Sequence, residues 1–342
     1  MRGLGRVLET LLFATLSIAL PATACADPVA DFYTGKQIRL VIGYGVGGGY
    51  DLYARLAAEF LRKHIPGNPA IVPQNMPGAG SQRALQYLYS IAPQDGTVLG
   101  CVDQSLALNS AASGSAIDVG AFHYLGRLNH NIDVGVGLPN TGFRNFEDAR
   151  QREIRVGVSL EASTAVLLPS ALIAHGGAKF KLVRGYNGAG EMLLALQRNE
   201  VDLVGGVGLP LLVARNPDWI FQGKAVVLYQ NAIVRHPLLK DVPTLPELGL
   251  SDDGRTVLRA IASTAEVGRS ILTTPGIPAE RLAALRAAFQ SMAANPEFLD
   301  AAKKRNIELS PASGEKVDEL VRETTHLPRP LLDMVDALTK GK

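Results

Sequence analysis

The sequence lacks a marked excess of charge of either sign. Its 342 residues include 34 lysines and arginines against 32 aspartates and glutamates, which gives a formal net charge of +2. Proteins that bind nucleic acid through its phosphates carry a basic patch or a high positive charge. The composition therefore gives no reason to expect a nucleic-acid partner.

The sequence also lacks an apolar run long enough to cross a bilayer comfortably. Its first apolar segment, Leu8 to Leu20, is short and is interrupted by polar residues. Arg2 and Arg6 precede this segment, and ACA at residues 24–26 follows it as an A-x-A-like cleavage site. This order is typical of a secretory signal peptide. We predict that Met1 to Ala26 are removed and that the protein works in the periplasm.

Cysteine is scarce, with only Cys25 and Cys101 in the sequence. Cys25 belongs to the predicted signal peptide. Lipid attachment at Cys25 is the alternative, but Ala22 stands where such signals usually carry leucine. The processed chain would keep Cys101 alone, which excludes an internal disulfide. The apolar run VLGCV around Cys101 predicts a small buried side chain.

Motifs of common catalytic and metal sites are missing. The sequence has no G-x-S-x-G, no C-x-x-C and no H-E-x-x-H, and its six histidines are scattered without ligand spacing. The glycines from Gly43 to Gly49 read G-x-G-x-G-G-G instead of the dinucleotide motif G-x-G-x-x-G. The residues about twenty positions further on, His64 to Pro69, include no acid for a ribose. We predict no catalytic residue, no metal and no cofactor.

What the sequence does contain is a glycine-rich turn between a strand and a helix, within Ile38 to Phe60. The apolar run from Ile38 to Ile42 predicts a buried parallel strand. The glycines that follow permit close backbone approach to a ligand, and Asp51 is placed to cap the next helix. Free N–H groups at a helix start suit an anion. The turn is therefore either an anion site or a tight connection without a ligand.

Two further strands run into comparable turns. The strand Ala70 to Val72 leads to the turn Asn75 to Ser81, and the strand Thr97 to Val102 ends at Asp103 to Ser105. Apolar residues at helical spacing follow. This alternation predicts a mostly parallel α/β sheet, whose strand-end loops converge on one crevice.

The second half of the chain repeats the alternation. The mature chain is longer than a single core usually allows, roughly 250–300 residues. The extended segment Phe122 to Pro139 is a candidate for the crossing between two domains. We predict one domain from residues 27–131 together with 251–342, and a second domain from residues 132–250.

Seven motifs in a fixed order resemble a known family. They are GVGGGYD (45–51), QNMPGAGS (74–81), APQDGTVLG (92–100), GYNG (185–188), NEVDLVGG (199–206), DVPTLPELG (241–249) and TPGIPAERLAALRAAF (274–289). Each motif is weak alone, but the ordered series covers nearly all of the mature chain. On these motifs the chain resembles the extracytoplasmic solute-binding receptors of tripartite tricarboxylate transporters.

The resemblance implies a two-domain α/β periplasmic-binding-protein (Venus flytrap) fold, with a mostly parallel sheet flanked by helices in each domain. It implies a non-catalytic receptor that holds a small organic carboxylate in the cleft and delivers it to membrane transporter subunits. We expect a monomer that binds a dicarboxylate or an aromatic acid. The alternatives are an exported enzyme that uses the same cleft and a ligand-binding partner of a sensor.

The resemblance also carries over a set of ligand contacts. The family holds a ligand carboxylate with backbone amides and ordered water from the first two glycine turns, and other strand-end turns close over the ligand. Asp51 would repel a carboxylate and suits a capping role better, and Tyr44 either lines the cleft or packs within its domain. The predicted contacts are Tyr44, Gly47, Gly48, Gly49, Tyr50, Asp51, Gly78, Ala79, Gly80, Ser81, Gln104, Ser105, Ser163, Thr164, Tyr186, Asn187 and Gly188.

Three departures from the family's pattern bear on the ligand. YGV at residues 44–46 replaces the usual proline-rich opening before the triple glycine. Glu161 and Ala162 stand where small residues are usual, and residues 251–271 lack the usual tryptophan-containing segment. A carboxylate at Glu161 would oppose an anion if it pointed into the cleft, so a tricarboxylate is less expected.

Overall fold

The structure is a computed structural model that describes residues 27–159 and 163–340. The predicted signal peptide and Glu161 lie outside the described residues. No helix within the described ranges is long and apolar enough to cross a membrane.

Eleven strands in the described residues form two sheets. The first sheet has the order β11-β4-β10-β3-β1-β2, and the second has the order β7-β6-β8-β5-β9. The strands are β1 (Gln37–Ile42), β2 (Ala70–Asn75), β3 (Val98–Cys101), β4 (His123–Asn129), β5 (Asp133–Gly137), β6 (Ile154–Ser159), β7 (Phe180–Tyr186), β8 (Leu203–Gly208), β9 (Val226–Gln230), β10 (Arg269–Thr273) and β11 (Ala312–Ser313).

Helices cover the two sheets. They are α1 (Pro28–Tyr33), α2 (Gly49–Leu61), α3 (Gln82–Ser90), α4 (Leu106–Ser113), α5 (Phe146–Gln151), α6 (Thr164–Gly176), α7 (Ala189–Gln197), α8 (Leu209–Arg215), α9 (Pro217–Phe221), α10 (Asp252–Ser263), α11 (Ala279–Ala293), α12 (Pro296–Lys304), α13 (Gly314–Thr325) and α14 (Arg329–Thr339).

Both sheets are mixed. Strand β1 pairs in parallel with β2 and β3, and β6 pairs in parallel with β7 and β8. The antiparallel pairs all involve β4, β5 or β10. The predicted α/β two-domain fold is confirmed, but the sheets are less parallel than expected because these three strands join the sheets to one another.

The strand-turn-helix unit at β1 and α2 forms as the sequence predicts. Ile38, Leu40, Val41 and Ile42 are each at most 1% exposed, since helices cover both faces of the first sheet. Helix α2 buries Leu56 and other apolar residues of one face in the same core. The turn between strand and helix is thereby fixed at the end of β1, on the edge of the sheet where β3 also ends.

The predicted crossing between domains lies where the structure passes from the first sheet to the second. Strand β4 belongs to the first sheet and β5 to the second, with residues 130–132 between them. The chain returns to the first sheet at β10. Helices α10 and α14, which the sequence assigned to the first domain, contact α6 beside the second sheet. The exact domain boundaries stay a prediction.

Close packing between β8 and α6 depends on glycine. A Cβ atom at Gly206 would lie 2.8 Å from the Cα atom of Ala165, in the first turn of α6. Real side chains essentially never come this close, so α6 can lie against β8 only because Gly206 has no side chain. The contact fixes where α6 begins. A cavity between the two sheets is lined by residues of this helix start.

We expect Gly206→Val to lower the free energy of unfolding by about 1–3 kcal/mol, because overpacking displaces α6. Urea denaturation measures this change. Gly190→Ala in α7 is the matched control, since a Cβ there meets no atom within 4 Å. The control should leave the free energy of unfolding unchanged or slightly higher. Equal stability of Gly206→Val and the parent would contradict the packing argument.

Candidate functional site

A cavity of about 150 Å³ lies between the two sheets. Its walls come from the loops at the ends of β1, β6, β7 and β8 and from Arg269 at the start of β10. These loops follow the carboxyl ends of strands, which is where open α/β sheets bind ligands. The crevice that the strand order predicts is therefore present in the structure.

The structure brings seven of the predicted contacts together in this cavity. They are Tyr44, Gly48, Gly49, Tyr50, Thr164, Asn187 and Gly188. A smaller recess that shares Tyr44 and Asn187 is lined by four more, which are Gly78, Ala79, Gly80 and Tyr186. Six predicted contacts line neither space, and they are Gly47, Asp51, Ser81, Gln104, Ser105 and Ser163. That any of these residues contacts a ligand stays a prediction.

Three helices begin at the cavity. Gly49 and Tyr50 of α2, Thr164 of α6, and Ala189 of α7 are lining residues in the first turns of these helices. The first N–H groups of a helix have no partner within the helix, and the helix dipole is positive at this end. The starts of α2 and α7 therefore bring N–H groups to the cavity from both sheets, whereas the Thr164 N–H of α6 already donates to Asp103.

Asp51 supports the first glycine turn from behind. Its carboxylate accepts hydrogen bonds from the Gly47 N–H (2.9 Å), from Arg55 Nε (2.8 Å) and from Asn75 Nδ2 (2.9 Å). The N-cap residue of α2 is Gly48, in an extended conformation, so the predicted capping by Asp51 takes the form of a bond back to Gly47. Asp51 thus has enough partners to hold the turn and no contact with the cavity.

Tyr44 belongs to a network that joins the two sheets. Its ring stacks on Tyr50, with centroids 4.8 Å apart, and its hydroxyl donates to Asp103 Oδ2 at 2.5 Å. The Asp103 carboxylate also accepts bonds from Ser105 and from the Thr164 N–H at the start of α6. Burial raises the pKa of Asp103, and these donors oppose the rise. Tyr44 therefore both lines the cavity and packs within its domain.

Asp133 is a buried acid in the cavity wall, only 4% exposed. Its carboxylate accepts from Gln104 Nε2 (3.3 Å), from Asn131 Nδ2 (3.1 Å) and from the Thr164 side chain. Burial raises the pKa of Asp133 to about 6, although the positive charge of Arg269 acts in the opposite direction. Gln104, a predicted ligand contact, instead positions this carboxylate.

Arg269 is the basic side chain among the described lining residues of the cavity. It is 2% exposed, and its guanidinium lies over the rings of Tyr50 (5.3 Å) and Tyr53 (4.9 Å). Its Nε and Nη1 atoms have no hydrogen-bond partner among the described residues. The cavity thus contains a buried cation held by aromatic faces.

Sequence reasoning missed Asp133 and Arg269. Each begins a strand whose other residues are apolar or small, and a charge in such a strand is the signal that could have found them. Arg269 also falls within residues 251–271, where the sequence departs from the family pattern. Neither residue belongs to a glycine turn, so a search of strand-end turns alone passes over both.

The arrangement offers little to a metal ion. Within the described residues, no group of three or more His, Cys, Asp or Glu side chains could hold one. The described lining instead combines backbone N–H groups, hydroxyls, one buried acid and one buried cation. These groups can orient a small polar anion through hydrogen bonds and charge.

The raised pKa of Asp133 predicts a specific pH dependence of stability. The folded pKa of about 6 lies above the ordinary aspartate value of 3.8, so between these pH values the folded state holds a proton that the unfolded state has released. Stability should therefore fall as the pH rises through this window. Asp133→Asn should remove this loss. Relative to the parent, the variant should therefore be more stable at pH 7 than at pH 4, by about 2 kcal/mol.

Urea denaturation of parent and variant at both pH values measures this difference. Asp148→Asn is the control of opposite sign, because hydrogen bonds from the backbone of Arg144 and Asn145 lower the pKa of Asp148. That variant should lose more stability at neutral than at acid pH. If the relative stability of Asp133→Asn did not change with pH, Asp133 would not titrate as the structure implies.

Comparison with known proteins gives both sequence relatives and structural neighbours. No protein-family model matches the chain. The chain is similar to a UPF0065 protein in the gbd 5′ region of Cupriavidus necator, with 26% identity over 330 residues, which cover 94% of this chain and 93% of the relative.

Three solved structures have the same arrangement of two domains. A TctC solute-binding protein from Polaromonas has 22% identity and a TM-score of 0.59, and covers 88% of this chain and 99% of its own. The periplasmic binding protein BugD has 19% identity and a TM-score of 0.68, with 90% and 99% covered. MatC from Rhodopseudomonas palustris with bound malate has 18% identity and a TM-score of 0.69, with 88% and 99% covered.

These neighbours confirm the resemblance that the ordered motifs predicted. The chain has the two-domain α/β fold of the periplasmic solute-binding proteins, the fold of TctC and BugD.

Proposed function

We propose that this chain is a periplasmic receptor that captures a small organic carboxylate in the cavity and delivers it to membrane transporter subunits. The observation that carries the proposal is the meeting of the starts of α2 and α7, one beside each sheet, with the buried cation Arg269 at one cavity. Both features favour an anion. The small volume of about 150 Å³ suits a small solute.

The structural neighbours support the carboxylate class. MatC is described with bound malate, and another neighbour of the same fold, from R. palustris, with adipate. Both ligands are carboxylates. Delivery to membrane subunits rests on the resemblance to tripartite transporters, since the cavity itself carries no information about a partner protein.

An exported enzyme remains the second candidate, because one observation favours it. The Thr164 hydroxyl bonds to the buried carboxylate of Asp133, and a hydroxyl beside an acid is a possible nucleophile and base. No histidine or lysine is found among the described lining residues. Turnover of an ester or amide of a small acid by the purified protein, and its loss in Thr164→Val, would favour the enzyme over the receptor.

The proposal includes export and cleavage after Ala26. The new N-terminus would be Asp27, whose carboxylate accepts from the Val29 N–H at 3.0 Å as the N-cap of α1. We expect the protein in osmotic-shock fluid, with Asp27 as the first residue by N-terminal sequencing. Recovery of the uncleaved chain in the cytoplasm would contradict this part of the proposal.

A thermal-shift screen tests the ligand class. We expect at least one compound in a panel of mono-, di- and tricarboxylates to raise the melting temperature by about 2 °C or more. Ligand at about 100 times its dissociation constant adds roughly 2.7 kcal/mol to the stability of the folded state. Amines and neutral sugars are the comparison compounds. A shift with these compounds and none with any acid would exclude the carboxylate class.

Two variants of α7 test whether binding occurs in the cavity. Gly190 lines the cavity, and a Cβ atom added there would meet no atom within 4 Å. Gly190→Phe should therefore keep the fold and obstruct the site. Leu194→Phe is the matched control in the same helix, because Leu194 is 51% exposed and is not a lining residue. Only Gly190→Phe should lose the ligand-dependent shift. Equal shifts in both variants would place the ligand elsewhere.

A further inference from the structure

Arg269 differs from Arg127, the other arginine that is buried among the described residues, in having unused donors. Arg127, on the neighbouring strand β4, is 7% exposed and donates to the carbonyl groups of Ser310 and Glu266, and it also contacts His130. Arg269 is more deeply buried, yet its Nε and Nη1 donate to no described acceptor. A buried charge without a hydrogen-bonding partner is costly, and two tyrosine faces offset that cost only in part.

Two glycines leave room for the Arg269 guanidinium beside the cavity. A Cβ atom at Gly49 would lie 2.2 Å from Nη2, and a Cβ atom at Gly208 would lie 2.4 Å from it. Gly49 begins α2 beside the first sheet, and Gly208 ends β8 in the second sheet. The guanidinium therefore lies at the junction of the two halves, against two residues that line the cavity.

The charges of the lining limit how many carboxylates a ligand can bring. Asp133 and Glu191 are the acids among the described lining residues, and Arg269 is the base. Arg215, another cation near the cleft, is exposed and lies against Gly47, which does not line the cavity. One ligand carboxylate can pair with Arg269. A second carboxylate would meet no cation in the described lining and would be repelled by the acids.

Asp133 also offers an acceptor to the ligand. Its two oxygens accept from Gln104, Asn131 and Thr164, and a carboxylate has about four acceptor positions. The donors among the described residues therefore leave one position for a donor that enters the cavity. A hydroxyl or ammonium group of the ligand would fill it.

We propose that Arg269 binds the single carboxylate of the ligand and that Asp133 accepts a hydrogen bond from a hydroxyl or ammonium group beside it. The ligand class is then a hydroxy- or amino-substituted monocarboxylate. This inference rests on the proposed receptor function and narrows it, and it differs from the dicarboxylate or aromatic acid that the sequence led us to expect.

The role of Arg269 is tested with Arg269→Met, by titration calorimetry for affinity and thermal unfolding for stability. With the best acid from the panel, the dissociation constant should rise at least about 100-fold. Without ligand the melting temperature should stay equal or rise, because an unpaired buried charge is removed. A residue needed only for packing would instead lower the melting temperature.

Two arginine variants are the controls. Arg127→Met should lower the melting temperature, because it leaves paired groups unsatisfied, and should keep ligand affinity. Arg281→Met removes a guanidinium that stacks on Phe32, 3.5 Å from the ring centroid and outside the cavity, and should also keep affinity. Arg269→Lys should recover part of the affinity, since it restores the charge without the planar guanidinium and its several donors.

The ligand class is tested with matched acids. Propionate, lactate and alanine share one carbon skeleton, and sets built on butyrate and on 3-phenylpropionate extend the size. Within the set that binds, the hydroxy or the amino acid should bind about tenfold or more tightly than the unsubstituted acid. Asp133→Asn should abolish that preference, and the better of the two substituents identifies the donor. Succinate and malate are the dicarboxylate arms and should bind more weakly.

The outcomes separate this inference from the proposed function. Binding of acids by the parent and equally by Arg269→Met would overturn the inference and leave the receptor proposal standing. Loss of binding in Arg269→Met together with a lower melting temperature without ligand would show a packing role and also overturn it. Equal binding of substituted and unsubstituted acids, or tighter binding of a dicarboxylate, would refute the ligand class. A parent protein that binds no acid would overturn both proposals.

Discussion

The site depends on glycine residues whose backbone lies close to neighbouring groups where the two sheets meet. Gly206 lets α6 begin against β8, and Gly49 and Gly208 leave room for the Arg269 guanidinium between them. A side chain at any of these residues would displace a helix start or the cation. The cavity is therefore shaped as much by absent side chains as by the groups that line it.

The two buried charges, Arg269 and Asp133, are each stabilised by neutral groups. Arg269 is held by tyrosine rings instead of by an acid, and Asp133 is held by amide and hydroxyl donors instead of by a base. Each charge keeps free capacity because its partners are neutral. A direct ion pair between the two would have satisfied both and left the cavity without groups that discriminate among ligands.

Much of the fold could be predicted from the sequence, together with seven of the residues that line the cavity. The apolar run at Ile38 and the glycine turn after it fixed the first strand-turn-helix unit, because local patterning and turn chemistry act within a few residues. Seven predicted contacts meet in one cavity because strand ends in an α/β sheet share an edge. Arg269 was missed since it reaches the cavity from a strand some two hundred residues away from that turn, and only tertiary packing brings them together. Gln104 and Ser105 donate hydrogen bonds to Asp133 and Asp103 in the structure, and their predicted contact with a ligand stays a prediction.

The bond between Asp103 and the N–H of Thr164 has a consequence for the unliganded protein. Asp103 follows β3 of the first sheet and Thr164 begins α6 beside the second sheet, so the protein supplies its own anion to that helix start. An internal anion of this kind favours closure before any solute arrives, which raises the population of the binding-competent state and with it the apparent affinity. The same bond would slow reopening, so the residence time of a solute would be set by the protein as well as by the solute. Small-angle scattering of the unliganded protein would reveal this as a closed population that Asp103→Asn diminishes.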